Sequence, residues 1–425
     1  MKKYQLYKQS GVEWIGEIPS HWDFIKTNIL TENLDGKRVP LNSEERGEME
    51  GEYPYWGSNG IVDYINQYIF NEEIVLVGED GSPFFDKLKD VSFYVNEPVW
   101  VNNHIHILKP KDRILPKYLT HSFNCVDYKE YITGSTRDKL TQSDLKRISH
   151  CVPPIKEQIQ IVQYLDEKTD LIDRFISTKE RKISLLKEQR TSLINQVVTK
   201  GLNSNIKMKD SGIEWIGKIP EDWCLKKVKH LTHISVGLVI NPSSYFDDNG
   251  DIPIITGKNV KISGIDLTEV DYITKETNLL LKQSMIFEGD IITMRVGYYV
   301  GRTTVVSNRE DGINCCSLII TRRSSKFNSY FLNYVFNSEV GKIQIEQSQG
   351  GMGTPVVNVG QWKEFNVTYP PITIQNQIVE HLDSKTKEID NLVELEQKKI
   401  DLLKEYRQSL ISEVVTGKIK VTTDE

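Results

Sequence analysis

One stretch of the 425-residue sequence has the spacing of a nucleotide-binding motif. The residues GIEWIGKI (212–219) match G-x-x-x-x-G-K, the first part of a loop that cradles phosphates. The motif needs a hydroxyl side chain after its lysine to hold magnesium, but that position is Ile219. The same segment also occurs 201 residues earlier, with Glu17 in place of Lys218. We therefore expect no nucleotide site here.

Acidic and histidine residues in the first half have the types that nucleases and metal sites use. Glu79, Asp80 and Asp86 resemble an acidic cluster, but the first two lie in GEDGS, which is typical of a turn between strands. His104 and His106 alternate along a predicted strand, so they point to opposite faces or one of them belongs to the core. We predict that none of these residues is catalytic and that the chain holds no metal.

The motifs of a methyltransferase are missing as well. An adenine methyltransferase needs a glycine-rich cofactor loop and an Asn/Asp-Pro-Pro-aromatic motif, and NPSS (241–244) does not match. We predict that the chain is not an enzyme and binds no cofactor. Its five cysteines have no C-x-x-C spacing, and no apolar run approaches the roughly 18 to 20 residues of a membrane span. These patterns indicate reduced thiols and a cytoplasmic protein.

The elements that position any functional residues are built from an internal repeat. SGVEWIGEIPSHW (10–22) returns as SGIEWIGKIPEDW (211–223), with nine of thirteen positions identical. The segment from Pro153 to Thr199 returns as Pro370 to Thr416 at an offset of 217, with 26 identities over 47 positions. The frame is therefore duplicated around two different fillings, which predicts a pseudo-two-fold arrangement. We interpret the tryptophans of the thirteen-residue motif as a structural clasp.

The repeated segments starting at Pro153 and Pro370 are predicted to be long helices. Apolar residues recur at alternating steps of four and three, which is the spacing of a coiled-coil seam. The same two seam positions are polar in both copies, and each helix would be about 65 Å long. We expect the two helices to pack on each other, although two independent surface helices are the alternative. The apolar seam residues are Ile172, Ile176, Ile183, Leu186, Leu193, Val197, Ile389, Val393, Ile400, Leu403, Leu410 and Val414.

The two fillings alternate short β-branched or aromatic runs with Gly, Asn and Pro turns, and each contains one short helix candidate. The predicted fold class is α+β: two mixed α/β globules separated by two long helices that form an antiparallel coiled coil. The predicted divisions are 1–152 for the first globule with its motif, 153–200 for the first helix, 201–210 for a linker, 211–369 for the second globule with its motif, and 370–418 for the second helix.

Several of these motifs together resemble one family. They are the repeated EWIG-IP--W, the stretches YWGSNGIVDY, VGEDGS and GDI…GYYVG, the PPI…Q helix starts, and the glycine-rich TGSTRDKL (133–140) and GGMGTPVVNV (350–359). The chain resembles the specificity subunit of Type I restriction–modification systems. The resemblance implies two target recognition domains that each read one half of a split, asymmetric site in double-stranded DNA. It also implies helices that space the two halves and dock two modification (methyltransferase) subunits, with restriction subunits joining them. Those partners are expected to use S-adenosylmethionine, ATP and magnesium.

Candidate DNA contacts lie in turns rich in Gly, Asn, Ser and Arg. Backbone amides in such turns reach phosphates, and Asn, Gln and Arg side chains make paired hydrogen bonds to base edges. Each candidate also fits a solvated turn residue. They are Trp56, Ser58, Asn59, Asn102, Asn103, Ser135, Thr136, Arg137 and Lys139 in the first globule, and Thr256, Lys258, Asn259, Arg295, Tyr298, Arg302, Gln349 and Thr354 in the second.

The charge predicts weak DNA binding by the chain alone. Its formal net charge is −6; residues 23–150 contain 15 Lys and Arg against 21 Asp and Glu, and residues 222–369 contain 15 of each. Phosphate neutralisation supplies most non-specific affinity, so we expect the partner subunits to supply much of the positive charge. A specificity subunit of an orphan or nuclease-free adenine methyltransferase is an alternative, and a coiled-coil scaffold that binds protein is a more distant one.

Overall fold

The structure is a computed structural model whose residues form two compact units. Unit 1 comprises Met1–Arg181 and Glu396–Glu425, and unit 2 comprises Lys182–Leu395. Each unit therefore contains one globule and one part of each long helix. The residues that the structure describes are 2–132, 138–203, 205–239, 242–348 and 354–421.

The secondary structure of the globule in unit 1 is mostly short strands. The strands are β1 (Tyr7–Gln9), β2 (Glu17–Pro19), β3 (Asp23–Lys26), β4 (Thr31–Asn33), β5 (Glu50–Gly57), β6 (Gly60–Ile65), β7 (Ile74–Gly78), β8 (Ser92–Val95), β9 (Trp100–Val101), β10 (Ile105–Pro110) and β11 (Ser149–Val152). The helices are α1 (Thr27–Leu30), α2 (Ser43–Gly47), α3 (Pro116–Asn124), α4 (Gln142–Arg147) and the long α5 (Ile155–Lys200), which continues into unit 2.

Unit 2 has a similar set of elements. Its strands are β12 (Met208–Asp210), β13 (Lys218–Pro220), β14 (Cys224–Lys227), β15 (Ile234–Val236), β16 (Ile252–Ile255), β17 (Val260–Lys261), β18 (Gly264–Ile265), β19 (Asp271–Ile273), β20 (Ile291–Met294), β21 (Thr303–Val305), β22 (Asn314–Cys315), β23 (Leu318–Thr321) and β24 (Asn366–Tyr369). Its helices are α6 (Lys275–Leu280), α7 (Ser329–Asn337), α8 (Glu339–Ser348), α9 (Val359–Lys363) and the long α10 (Ile372–Val415), which continues into unit 1.

The two globules share one strand topology although their sequences differ. In unit 1 a four-stranded antiparallel sheet has the order β4-β10-β7-β8, and in unit 2 the order is β15-β23-β20-β21. A second sheet has the order β6-β5-β9 in unit 1 and β19-β16-β22 in unit 2, and its last pairing is parallel in both. The central strands β7 and β20 are almost wholly apolar and buried, as expected for strands covered on both faces. The turns that follow β7 and β20 are therefore topologically equivalent.

The two long helices pack antiparallel within each unit. In unit 1 the Lys179 ammonium lies 3.0 Å from the Glu396 carboxylate, and the Arg407 guanidinium lies 3.2 Å from Asp173. Residue numbers therefore rise along one helix as they fall along the other. In unit 2 the pair Arg190–Asp390 at 3.0 Å obeys the same rule.

The seam residues predicted from the sequence face the protein interior in the described structure. Leu193, Val393 and Leu403 are half-buried. The remaining predicted seam residues are buried: Ile172, Ile176, Ile183, Leu186, Val197, Ile389, Ile400, Leu410 and Val414.

Each long helix is tied to its own globule by a buried glutamine near its start. The Gln158 carbonyl oxygen accepts from the Leu115 amide at 2.8 Å, and its amide donates to the Arg113 and Pro153 carbonyl groups. Gln375, 217 positions later, accepts from the Asn328 amide and donates to the Pro370 carbonyl. Both side chains are fully buried, so these hydrogen bonds fix the angle at which the helix leaves the globule.

The thirteen-residue motif packs against a helix end in each unit. Gly201, just after α5, has a φ of +76°, and a Cβ there would lie 3.2 Å from the Trp223 ring. Gly417, just after α10, has a φ of +73°, and a Cβ there would clash with Pro19 and lie 3.1 Å from the Trp22 ring. Both tryptophans are buried, which agrees with a structural clasp rather than base contact. None of the helices in the described ranges has the length and apolarity to cross a membrane.

Candidate nucleic-acid interface

In unit 1, five predicted contact residues meet around the turn that follows β7. The Asn59 amide donates to the Gly81 carbonyl at 3.0 Å, and Ser82 Oγ donates to the Ser58 carbonyl at 3.0 Å. The Asn102 backbone amide donates to the Trp56 carbonyl at 2.9 Å, and Asn103 follows it. We call this cluster, residues 56–59, 79–82 and 102–104, the unit 1 edge. The five predicted contacts in it are half-buried or exposed, whereas Asp80 and Ser82 are buried, and most of its polar side chains are uncharged amides and hydroxyls.

The charges at the unit 1 edge are paired with one another. Glu79 accepts from Arg38 Nη1 at 2.5 Å and lies 3.1 Å from Lys139 Nζ. Asp80 lies 2.9 Å from His104 Nδ1. Arg38 also donates to the Ile105 carbonyl at 3.0 Å. The two cations beside this edge, Arg38 and Lys139, are therefore both neutralised by Glu79. The sequence predicted Lys139 as a DNA contact.

Beneath this edge lies a buried aspartate–histidine pair. His106 Nδ1 is 2.7 Å from Asp35 Oδ2, and His106 Nε2 is 2.9 Å from the Leu140 carbonyl oxygen. Burial by itself raises the pKa of Asp35, but the contacts with His106 and the Ile107 amide outweigh it and lower that pKa to about 2. The pair holds Leu140 against the sheet. Of the two histidines considered in the sequence, His106 is therefore the core residue.

In unit 2, the equivalent turn after β20 is aromatic and cationic. Tyr298 is 89% exposed and meets Tyr299 edge to face, with ring centroids 4.9 Å apart. The Arg302 guanidinium stacks over the Tyr299 ring at 3.8 Å. The Gly297 amide donates to the Pro355 carbonyl, which places Thr354 beside this turn. We call residues 256–260, 295–302 and 354–356 the unit 2 edge.

The 256–260 turn contacts the same edge, because a Cβ on Gly257 would lie 3.1 Å from Met294 and Arg302 reaches the Val260 carbonyl at 3.5 Å. Lys258 is exposed there. Asn259 is different, since it is only 3% exposed.

The Asn259 oxygen accepts from the Thr256 amide, and its amide nitrogen donates to the Asp266 and Glu269 carbonyl groups. Asn259 therefore stabilises the turn through hydrogen bonds within the protein, and its contact with DNA stays a prediction. The Thr-Gly-Lys-Asn sequence resembles a binding loop, and it does not reveal these hydrogen bonds because the carbonyl partners lie 7 and 10 residues further along the chain.

Two buried donors at these edges have no hydrogen-bond partner among the described residues. They are the Trp56 indole Nε1 and the Arg295 Nε. An unpaired buried donor is costly, so each is a natural place for an acceptor from a bound molecule. Four predicted contacts lie outside the described residues: Ser135, Thr136, Arg137 and Gln349.

The residues that set the charge of the unit 1 edge carry no local signal in the sequence. Arg38 and Asp35 were not singled out, because their partners lie 41 and 71 residues away along the chain. Tyr299 was not singled out either, although that residue sits beside Tyr298 in a glycine-rich turn. Within the described ranges, no group of three or more His, Cys, Asp or Glu side chains is placed to hold a metal ion.

The chain belongs to the family described as Type I restriction modification DNA specificity domain, whose model matches residues 19–187 and 220–405. The two matches cover both globules and large parts of both long helices. This confirms the resemblance predicted from the repeated motifs.

Similar proteins agree over nearly the whole chain. The Type I restriction enzyme MjaVIII specificity subunit of Methanocaldococcus jannaschii is 24% identical over 436 residues, covering 98% of each protein. A putative type I restriction enzyme specificity subunit of Haemophilus influenzae, S.HindORF215P, is 26% identical over 432 residues, covering 96% of this chain and 97% of that one.

Two solved structures share the fold. A chain from a structure of type I R-M system assembly and conformational transition superposes with a TM-score of 0.68 at 15% identity, covering 94% of this chain and 98% of that one. The HsdS subunit from Thermoanaerobacter tengcongensis gives a TM-score of 0.50 at 14% identity, covering 95% and 98%. The predicted fold class, two mixed α/β domains with two long antiparallel helices in a repeat, is confirmed.

Proposed function

We propose that this chain is the DNA-specificity subunit of a Type I restriction–modification enzyme. The regions 1–152 and 211–369 act as target recognition domains, and each reads one half of a split, asymmetric site. One observation carries the proposal: the frame is repeated, but the turns after β7 and β20 carry different side chains at equivalent positions. A repeated frame with unlike edges suits the recognition of two unlike half-sites.

The unit 2 edge supports contacts to both phosphates and base edges. Arg295, Arg302 and Lys258 provide cations, and arginine pairs with the guanine edge in the major groove. The exposed Tyr298 ring offers an apolar face next to a hydroxyl donor. Arg302 is already oriented by its stacking on Tyr299, which reduces the rotamer freedom lost on binding.

The unit 1 edge supports base reading by amides. Asn59, Asn102 and Asn103 can pair with the adenine edge, and the Trp56 N–H has no partner among the described residues. The cations near them, Arg38 and Lys139, are paired with Glu79. We therefore assign this edge to sequence choice more than to phosphate binding.

Most of the non-specific affinity for the duplex comes from the partner subunits. Fifteen basic against 21 acidic residues over 23–150 leaves the first globule acidic, and the second is balanced. Association with DNA by phosphate neutralisation is weak for such a surface. The modification subunits, with their own cofactors, supply the positive charge and the chemistry, and restriction subunits join them for cleavage.

The long helices carry exposed apolar residues that fit docking of the modification subunits. In unit 1 these are Leu171, Phe175, Leu402 and Tyr406, and in unit 2 they are Leu185, Leu392 and Leu395. All of them immediately precede a seam position in the sequence, so they follow one flank of the seam. Phe175 and Leu392 are related by the 217 offset, as are Leu185 and Leu402. Two equivalent apolar sets suit two copies of a partner whose helices pack beside the seam.

Mapping adenine methylation in the genome tests the proposal. Disrupting the chain should abolish one split methylation motif, and substituting Tyr298 or Arg302 should alter only one half of it. Substituting Asn59 or Asn102 should alter only the other half. Retention of the motif without this chain would contradict the proposal.

A heptad insertion tests the role of the helices as a spacer. One heptad added beside Lys179 and one beside Glu396 keeps the seam in register and lengthens each helix by about 10 Å. The gap between half-sites should grow by about three base pairs while both half-sites stay the same. Seven residues inserted after Leu202, between the end of α5 and strand β12, serve as the control and should leave the gap unchanged. An unchanged gap after the paired helix insertion would contradict the spacer role.

A further inference from the structure

An ion pair joins the two long helices where equivalent positions of the two helical repeats lie opposite each other. Lys179 and Glu396 differ by 217, the offset of the helical repeat, so they occupy the same position in their two copies. Their side chains meet at 3.0 Å. The Glu396 side chain is 3% exposed, and Lys179 keeps 26% of its side chain exposed. At the position where the two copies of the repeat face each other, which we call the crossing position, the first copy has a lysine and the second has a glutamate.

The flanking ion pairs are symmetric and carry no such difference. Asp173–Arg407 in unit 1 and Arg190–Asp390 in unit 2 are the same pair seen twice, because Asp173 corresponds to Asp390 and Arg190 to Arg407. If a first repeat paired with the first repeat of another copy, Arg190 would still meet Asp173. These two ion pairs and the apolar seam therefore stabilise a pairing of two identical repeats as well as a pairing of the first repeat with the second.

Only the crossing position distinguishes the pairings among these contacts. A first repeat paired with a second copy of itself would set Lys179 against Lys179, and a second repeat would set Glu396 against Glu396. Charges in a largely buried seam are poorly solvated, so like charges facing each other there oppose association strongly.

We propose that the Lys179–Glu396 pair makes the two unlike halves of this chain select each other and reject like halves of a second copy. The physical benefit is that a first repeat always pairs with a second repeat. The pair thus acts as a specificity determinant for assembly, separate from any contact with DNA. It costs stability relative to an apolar pair but adds discrimination.

The two like pairings are not equally unfavourable. Lys399 Nζ lies 3.2 Å from the second Glu396 oxygen, so each glutamate has a cation from its own helix. Lys182 is the corresponding residue of the first repeat, where it adds to the positive charge beside Lys179. A first-with-first pairing would bring two lysines together without the opposite charge that Lys399 gives each Glu396 in a second-with-second pairing, and we expect it to be the rarer of the two.

The test uses the complete chain with a protease site placed in the 201–210 linker. After cleavage, the two fragments are exchanged in mild denaturant and refolded, and native mass spectrometry counts mixed and like pairs. The unaltered chain should favour mixed pairs about tenfold over the statistical proportion. The variant Lys179→Met with Glu396→Met should move toward that proportion, and the charge exchange Lys179→Glu with Glu396→Lys should restore selection.

A matched control and a second measurement keep the outcome decisive. Asp173→Asn with Asp390→Asn removes an acid from each flanking pair, so it should weaken all pairings and leave their ratio unchanged. The uncut chain provides the second measurement, which is its molar mass by light scattering after refolding at high concentration. The double methionine variant should form dimers that exchange helices, whereas the unaltered chain should stay monomeric. Unchanged selection by the double methionine variant in both measurements would overturn the proposal and assign selection to contacts between helices and globules.

Discussion

The turns after β7 and β20 occupy the same place in two sheets with the same strand order, yet they differ in whether their cations are paired with carboxylates. In unit 1, Glu79 binds Arg38 and Lys139. In unit 2, Arg302 stacks on Tyr299, and Tyr298 extends into solvent. The difference shows that a shared frame can present one edge neutralised from within and another edge whose cations are available to a ligand. Four predictions examine this contrast.

The largest effect is expected from Arg38→Met in unit 1. The change removes the guanidinium that pairs with the nearly buried Asp35 and Glu79, leaving Lys139 as the remaining cation beside Glu79, and should destabilise unit 1 by about 3 kcal/mol. Urea unfolding with hydrogen exchange of peptides from β7 and β10 measures it. Arg302→Met in unit 2 is the matched control and should cost less than about 1 kcal/mol, since it removes stacking on the exposed Tyr299 ring and a long contact with the Val260 carbonyl. Equal losses in the two units would remove the contrast.

The frame itself should respond equally in both units. Gln158→Met and Gln375→Met each remove buried hydrogen bonds between a long helix and its globule, so each should cost about 1–3 kcal/mol. Denaturant midpoints report the loss, and Gln163→Met, at an exposed position of α5, should leave stability nearly unchanged. A loss confined to one unit would mean that the two frames are not equivalent.

Acid should weaken unit 1 through a position that is apolar in unit 2. Burial lowers the pKa of His150 from 6.5 to about 3, and the equivalent residue in unit 2 is Val367. Between these values the unfolded chain binds a proton that the folded chain does not, so stability falls as pH falls, by about 1.4 kcal/mol per pH unit.

The variant His150→Val should lose this contribution. Urea midpoints at pH 7 and pH 5, together with hydrogen exchange in β11, measure it. Peptides from β24 in unit 2 serve as the internal control and should show no such dependence. An acid dependence of β11 that survives in His150→Val would point to other groups.

The smallest effect concerns the salt dependence of DNA binding by the assembled complex. Arg302→Ala should reduce the slope of log affinity against log salt by about 0.9, as expected when one phosphate contact is lost. Lys139→Ala should leave the slope unchanged, because Glu79 already neutralises Lys139. Fluorescence anisotropy over a salt series on the target duplex distinguishes them. A reduced slope for Lys139→Ala would mean that its ion pair opens on DNA.

Much of the frame was predictable because it depends on local periodicity. The seam from Ile172 to Val197 follows from spacing along one helix, and its copy from Ile389 to Val414 follows from the repeat. The helices begin at Ile155 and Ile372, just after the Pro-Pro pairs that suit a helix start. The burial of Trp22 and Trp223 agrees with the clasp inferred from two nearly identical motifs.

The edges were predicted less well because their properties depend on residues distant in sequence. The sequence predicts Lys139 as a DNA contact, but it does not show that Glu79, from another turn, lies 3.1 Å from the Lys139 ammonium. The sequence predicts Asn259 as a DNA contact, but it does not show that its amide donates to the carbonyl groups of Asp266 and Glu269. The sequence could indicate candidate turns, but not which side chains in them are paired within the protein.

By itself, the sequence determined the duplicated frame, the two long helices and their seam, since each of these follows from repetition and from periodic burial along the chain. Only the tertiary structure decided which charges are neutralised and which helix residues meet. Ion pairing acts through space over a few ångströms, so Arg38 with Glu79 and Lys179 with Glu396 become partners only when distant segments are folded together.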